Sequence, residues 1–164
     1  MRPELERDYV EYVRARLRRL HRTAYLLCGD GHRADDIVQA TLTALYVNWK
    51  RAAAADNIDA YVHRILLRRY FDDRRTRWSR VRLGDVPAAV TAVAAADERV
   101  EDRDELVTAL RSLPKGQRAV LVLRFLDDLS VEDTARALGC SAGNVKSQSA
   151  RGLAALRAHF PVRG

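Results

Sequence analysis

Tyr61, Arg64, Arg68, Phe71 and Arg75 follow one another at steps of three, four, three and four. That spacing gathers them on one face of a helix. None is a nucleophile with a base beside it, so the chemistry on offer is non-covalent. Guanidinium groups hold phosphate while aromatic rings stack on exposed bases, a combination suited to DNA whose strands are being separated. Arg69, Arg74, Arg77, Trp78 and Arg80 extend the same basic segment. A plainer reading makes Tyr61 and Phe71 core residues and the arginines a solvated flank, and for either ring alone that reading is slightly the better one, whereas the whole stripe is harder to dismiss.

A second set lies near the other end of the chain. Ser130 to Lys146 reads as two short helices around Gly139, with Ser130 and Ser141 as N-caps and Asp133 placed as in a capping box. With Val145, Leu153 and Leu156 inward, Gly143, Asn144, Lys146, Ser147, Ala150 and Arg151 fall on the front of the second helix. Polar and basic side chains there match a recognition helix entering a major groove. A helical hairpin that binds nothing would share the pattern, but no acid follows Asp133 in the sequence.

A third surface differs in sign. Asp36, Gln39 and Thr43 form a polar line on a helix running from about His32 to Trp49. An acidic and amide face suits a basic protein partner better than DNA, although ordinary solvent exposure explains it equally well.

The elements that must carry these residues are all helical. Val10, Val13, Leu17, Leu20, Ala24 and Leu27 mark a helix over residues 8 to 28, ended by Gly29-Asp30-Gly31. The run from Lys50 to Asn57 breaks the periodicity, and Asp56 or Asn57 can cap the third helix, from Ile58 to about Arg80. Leu83 to Ala96 reads as a linker. Helical sequence resumes near Asp97 and runs to Leu110, and Pro114 opens a helix to Leu126. The expected organisation is an all-α chain of two small helical domains, 1–81 and 101–164, joined by a flexible linker over 82–100. Halves of about 80 residues bury little apolar surface each, so neither should be very stable alone.

Composition narrows the classes. The chain has 164 residues and a net charge of +7, and 26 of its 29 basic residues are arginine. Residues 1–81 carry a net +6 and residues 82–164 a net +1, yet each half ends in a basic segment. Two basic surfaces point to two contacts with nucleic acid. There is no phosphate-cradling glycine loop and no metal-ligand spacing; His21, Cys28 and His32 fall short of a structural zinc set. Catalytic residues, metals and cofactors are therefore expected to be none, and the chain is not expected to be an enzyme. No run approaches a membrane span, so no membrane insertion is expected. With no secretory signal and only Cys28 and Cys140, both expected reduced, the expected location is cytoplasmic.

Taken together, the motifs resemble a known family. Thr23-Ala24-Tyr25-Leu26-Leu27 with Gly29-Asp30, then Ala34 to Gln39, then Ala60 to Leu66, resemble sigma domain two. Leu110 to Pro114, Gln117-Arg118 and the helix-turn-helix resemble sigma domain four. The order and length look like an extracytoplasmic-function sigma factor, particularly the short actinobacterial SigE type.

The resemblance implies that Asp36, Gln39 and Thr43 dock on the clamp helices of the largest subunit of core RNA polymerase. It implies that the 50–57 loop, with Arg51 and Asn57, holds a base flipped from the promoter's −10 element. Tyr61, Arg64, Arg68, Phe71 and Arg75 would then melt the duplex, while domain four binds the polymerase flap and reads the −35 element through Asn144, Lys146, Ser147 and Arg151. An anti-sigma factor is a further partner that it implies. The free chain is expected to be two heads on a tether, whose separation the polymerase fixes. Two rivals remain: a regulator that dimerises and shifts duplex DNA without polymerase, and an inhibitor that binds polymerase but blocks transcription.

Overall fold

The computed structural model describes residues 2–82 and 101–160, with side chains at 2–72 and 105–160. The expected linker falls almost wholly on 83–100, outside the described residues, as does the expected helix start at Asp97. Within the described residues every regular element is helical.

Helix α1 (Pro3–Cys28) begins earlier than its apolar stripe predicts. Pro3 stands in the first turn with Glu4 and Glu6 behind it, where a fixed φ and negative charge both favour a start. It stops at Gly29, whose φ of 72° lets its N–H bond back to the Tyr25 carbonyl. A Cβ at Gly29 would stand 2.6 Å from Cδ of Arg111, so close packing reinforces the conformational demand. Asp30 caps α2 (Gly31–Val47) by accepting from the N–H groups of His32 and Arg33.

The expected break at 50–57 is shorter than the sequence indicates. A one-turn helix, α3 (Trp49–Ala53), occupies its first half because Trp49 and Ala52 are both buried and hold it against the core. Asn57 then caps α4 (Ile58–Arg82), accepting from the Ala60 N–H at 3.0 Å.

The second half comprises α5 (Glu101–Arg111), α6 (Lys115–Leu121), a π turn (Val122–Leu126), α7 (Val131–Leu138) and α8 (Ala142–His159). Pro114 precedes α6, and the helix expected to reach Leu126 widens to i→i+5 bonding after Leu121, closed by Asp127 N–H to Val122 O at 3.0 Å. Helix α8 crosses α6 at Gly152, where a Cβ would meet the Leu121 side chain at 3.0 Å.

The two halves are not held apart. Leu20, Leu27, Ile37, Leu45, Leu66 and Tyr70 share one core with Val107, Leu110, Leu121 and Leu123. Helix α1 meets α5 and the π turn, and α4 meets α7. Two cores this small gain by burying each other's apolar faces, which is the physical reason for packing in place of separation. A smaller cluster of Val120, Ala135 and Val145 centres the helix-turn-helix.

Candidate nucleic-acid interface

The helix-turn-helix is built from local signals. Ser130 caps α7 by accepting from the Asp133 N–H, and Ser141 caps α8 by accepting from the Asn144 N–H, both at 3.0 Å. Gly139 turns the chain at φ 68°. Val145 is fully buried and fixes the roll of α8 about its axis. Asn144, Lys146, Ser147 and Arg151 are consequently exposed along one outer face, with Gly143 and Ala150 among them. This face presents two cations and two neutral hydrogen-bonding side chains to solvent.

Helix α4 is anchored at its first turn. The Asp59 carboxylate accepts from the Tyr12 hydroxyl at 2.5 Å and from Nε of Arg16 at 2.9 Å. Burial acts to raise the Asp59 pKa, but the bonds from Arg16 and Tyr12 outweigh it and hold the carboxyl below its ordinary value. Burial, and then that same bond, push the Tyr12 phenol up.

Beyond the anchor, Arg64, Arg68 and Phe71 are exposed, whereas Tyr61 is half-buried against the core. The stripe therefore divides, with one ring serving packing and one facing out. Arg75 continues along α4 with its side chain outside the described residues. Arg64, Arg68 and Phe71 line a cleft of about 290 Å³ whose opposite wall is Ala137, Leu138 and Gly139 at the end of α7. Lys115 of α6 places its ammonium 4.5 Å from the Tyr70 ring centroid and 5.9 Å from that of Phe71. The helix-turn-helix thus borders the basic–aromatic face.

Arg51 is exposed on α3. Asn57 is engaged twice, as the α4 cap and as a donor to Asp133 of α7 at 3.0 Å. Asp133 accordingly faces across to Asn57, in place of closing the expected capping box. On α2, Asp36, Gln39 and Thr43 are exposed in one line, as the spacing predicts. That line continues into Tyr46 and Val47, the latter 75% exposed, which sequence reasoning passed over. An apolar pair ending an otherwise polar face was the available signal.

Two further groups were missed. Arg118 donates to the carbonyls of Leu27, Arg111 and Leu113, at 2.7, 3.1 and 3.1 Å. His63, Asp127 and Thr23 meet where α4, the segment after the π turn and α1 converge.

Sigma-70 region 2 matches residues 12–80, and Sigma-70 region 4 matches residues 103–156. The RNA polymerase sigma-E factor of Streptomyces avermitilis is 39% identical over 160 residues, spanning 95% of this chain and 87% of the relative. The chain belongs to the sigma-70 family, as an extracytoplasmic-function sigma factor. The sigma-E factor of Streptomyces coelicolor is 38% identical over 95% of this chain and 88% of its own length. EcfG, an extracytoplasmic-function sigma factor of Rhodopseudomonas palustris, is 32% identical over 86% of this chain and 78% of its own length.

A solved structure of the sigma factor RpoE in complex with the anti-sigma factor NepR, from Bartonella quintana, shares the fold. Its TM-score is 0.80 at 24% identity, covering 96% of this chain and 99% of that one. This sigma factor binds core RNA polymerase and promoter DNA, and directs the enzyme to promoters at initiation. The region 2 match begins within α1 and ends within α4, and the region 4 match begins within α5 and ends within α8. Among the described residues no helix is long and apolar enough to cross a membrane.

Proposed function

We propose that the sigma factor divides its task among three faces. The exposed line Asp36, Gln39, Thr43 on α2 docks on the clamp helices of the largest polymerase subunit. The basic–aromatic face of α4, with Arg64, Arg68, Phe71 and Arg75, grips and opens the −10 element, assisted by Arg51, Asn57 and Tyr61. Asn144, Lys146, Ser147 and Arg151 on α8 read the −35 element, while the rest of region 4 meets the flap. Residues 1–81 and 101–164 serve as the two working domains, and 82–100 as the link between them. The factor itself performs no catalysis and acts in the cytoplasm, where its polymerase is. RpoE of Bartonella quintana is solved with an anti-sigma factor, which supports an anti-sigma factor as a partner here too.

The observation that carries this reading is the burial of Val145. A fully buried residue at that position leaves α8 no other roll, so its polar and basic residues must face outward on the second helix of a helix-turn-helix.

Run-off transcription with core polymerase tests it. Lys146→Ala and Arg151→Ala are expected to impair initiation at promoters that depend on −35, while leaving core binding intact. A lost phosphate contact also lowers the salt slope of DNA binding by about one. Loss of core binding instead would place those residues on the wrong face, and no transcript above core alone would count against the whole reading.

A further inference from the structure

Asp127 enters the first half from the second. The π turn carries it there, and Asp128 follows with a left-handed φ of 55°. Asp127 is 5% exposed, with Oδ2 3.2 Å from Nε2 of His63 and 2.7 Å from the donating hydroxyl of Thr23. The other oxygen, Oδ1, is buried with no hydrogen-bond partner among the described residues; Arg22 stands 4.0 Å away and donates to Leu126 O. His63, also 5% exposed, has its second ring nitrogen 2.6 Å from the Asp59 carbonyl.

Both nitrogens of the ring therefore face acceptors, a carboxylate on one side and a carbonyl on the other. Only the doubly protonated ring donates to both. A neutral ring would set a lone pair against one acceptor and leave a buried carboxylate without its cation, a costly arrangement. The remaining charged groups in the same cleft are already arranged. Asp59 is held by Tyr12 and Arg16 of α1, and Asp133 of α7 accepts from Asn57. Arg19 of α1 and Asp128 complete the lining.

We propose that protonated His63 and Asp127 form a latch that holds region 4 against the basic–aromatic face of α4, and that proton loss from His63 releases it. The proposal rests on the reading of α4 as a DNA-binding face. Burial would depress the His63 pKa, but the bond and charge of Asp127, with the Asp59 carbonyl, outweigh it and leave the value raised. The sign follows: the closed form holds the proton more tightly than the open form. Closure is favoured below the ordinary histidine value and is lost as pH rises through the closed-form value.

Small-angle scattering on the full chain from about pH 6 to about pH 9 reads the latch across the range in which a raised histidine titrates. The radius of gyration is expected to rise with pH while the far-ultraviolet circular dichroism stays helical. Asp127→Asn and His63→Gln are each expected to be expanded and insensitive to pH. In parallel, anisotropy of a labelled single-stranded oligonucleotide is expected to report about tenfold tighter binding on opening, the factor for roughly a tenth of molecules open at the start.

A wild-type chain equally compact throughout overturns the latch, and so does either variant if it keeps the wild-type pH response. Expansion without tighter oligonucleotide binding leaves the latch standing and overturns the assignment of α4 as the DNA face. Should a variant lose its helical signal, the wild-type pH series still decides.

Discussion

Replacing Arg118 by methionine is the most severe single test of how the halves are joined. Methionine keeps much of the aliphatic bulk and removes the guanidinium. Three carbonyls lose a charged donor: Leu27 at the end of α1, and Arg111 and Leu113 across the turn before Pro114. The Leu27 bond matters most, since Leu27 is fully buried and the last carbonyls of a helix have no intrahelical partner. A charge-assisted bond in such a place contributes about 2 kcal/mol net, and the other two, which share one guanidinium nitrogen, about 0.5 kcal/mol each. The expected loss is about 3 kcal/mol, a large share of the roughly 5–15 kcal/mol that holds a domain together. For a chain of this size that lowers the melting temperature by about 6–12 °C. Thermal and urea unfolding followed by circular dichroism would measure it. Arg118→Lys should fall between, because one ammonium cannot reach three carbonyls as a planar fork does. A loss under about 1 kcal/mol would refute the reasoning, since it would mean those carbonyls find water without cost. So would two separated melting transitions in the wild type.

Two smaller perturbations follow from single side chains. Thr134 is fully buried on α7, and its hydroxyl has no hydrogen-bond partner among the described residues. Thr134→Val keeps the shape and removes the stranded hydroxyl, so it should stabilise by about 1 kcal/mol and leave DNA binding unchanged. A lower unfolding midpoint in urea would count against it. Asp59 has a depressed pKa, so its contribution is present above the ordinary carboxyl value and lost as pH falls through the folded one. Asp59→Asn should therefore destabilise at neutral pH and match the wild type in strong acid; a gap that persists in acid would place its cause elsewhere.

What the sequence revealed was what is local in it. Ser130, Ser141 and Asn57 cap helices within three residues of themselves, and Gly29 and Gly139 adopt left-handed backbone where helices must end. Those positions follow from short-range chemistry, and so did the outward residues of α8. The apolar stripe of α1 was less faithful: Val10 and Leu17 are exposed, while Leu5, Tyr9 and Tyr12 pack on the core. Nearly straight stripes one residue apart, Val10 and Val13 against Tyr9 and Tyr12, compete on a long helix, and only a partner decides between them. The contacts that join the halves were illegible for a different reason. Thr23 and Asp127 are 104 residues apart, and His63 and Asp127 are 64 apart. No local pattern marks an aspartate as buried, least of all beside Asp128, which is exposed.

The closed packing does not treat the three faces alike. Asp36, Gln39 and Thr43 remain exposed, as do Asn144, Lys146, Ser147 and Arg151, so neither face requires the halves to part. The α4 face alone has another element along its edge, and the Asn57 side chain is bonded to that element. On the proposed roles, docking on polymerase through α2 is compatible with the closed form, whereas the α4 face, with Arg64, Arg68 and Phe71 exposed, is bordered by the end of α7. A partner shifts such an equilibrium only by its differential affinity for the two forms. Contact through α2 by itself, present in both, would shift nothing. Under the proposed latch and roles, the free energy of opening would come from surfaces gained on opening, such as region 4 on the flap at a fixed distance from region 2, or melted DNA on Arg64, Arg68 and Phe71.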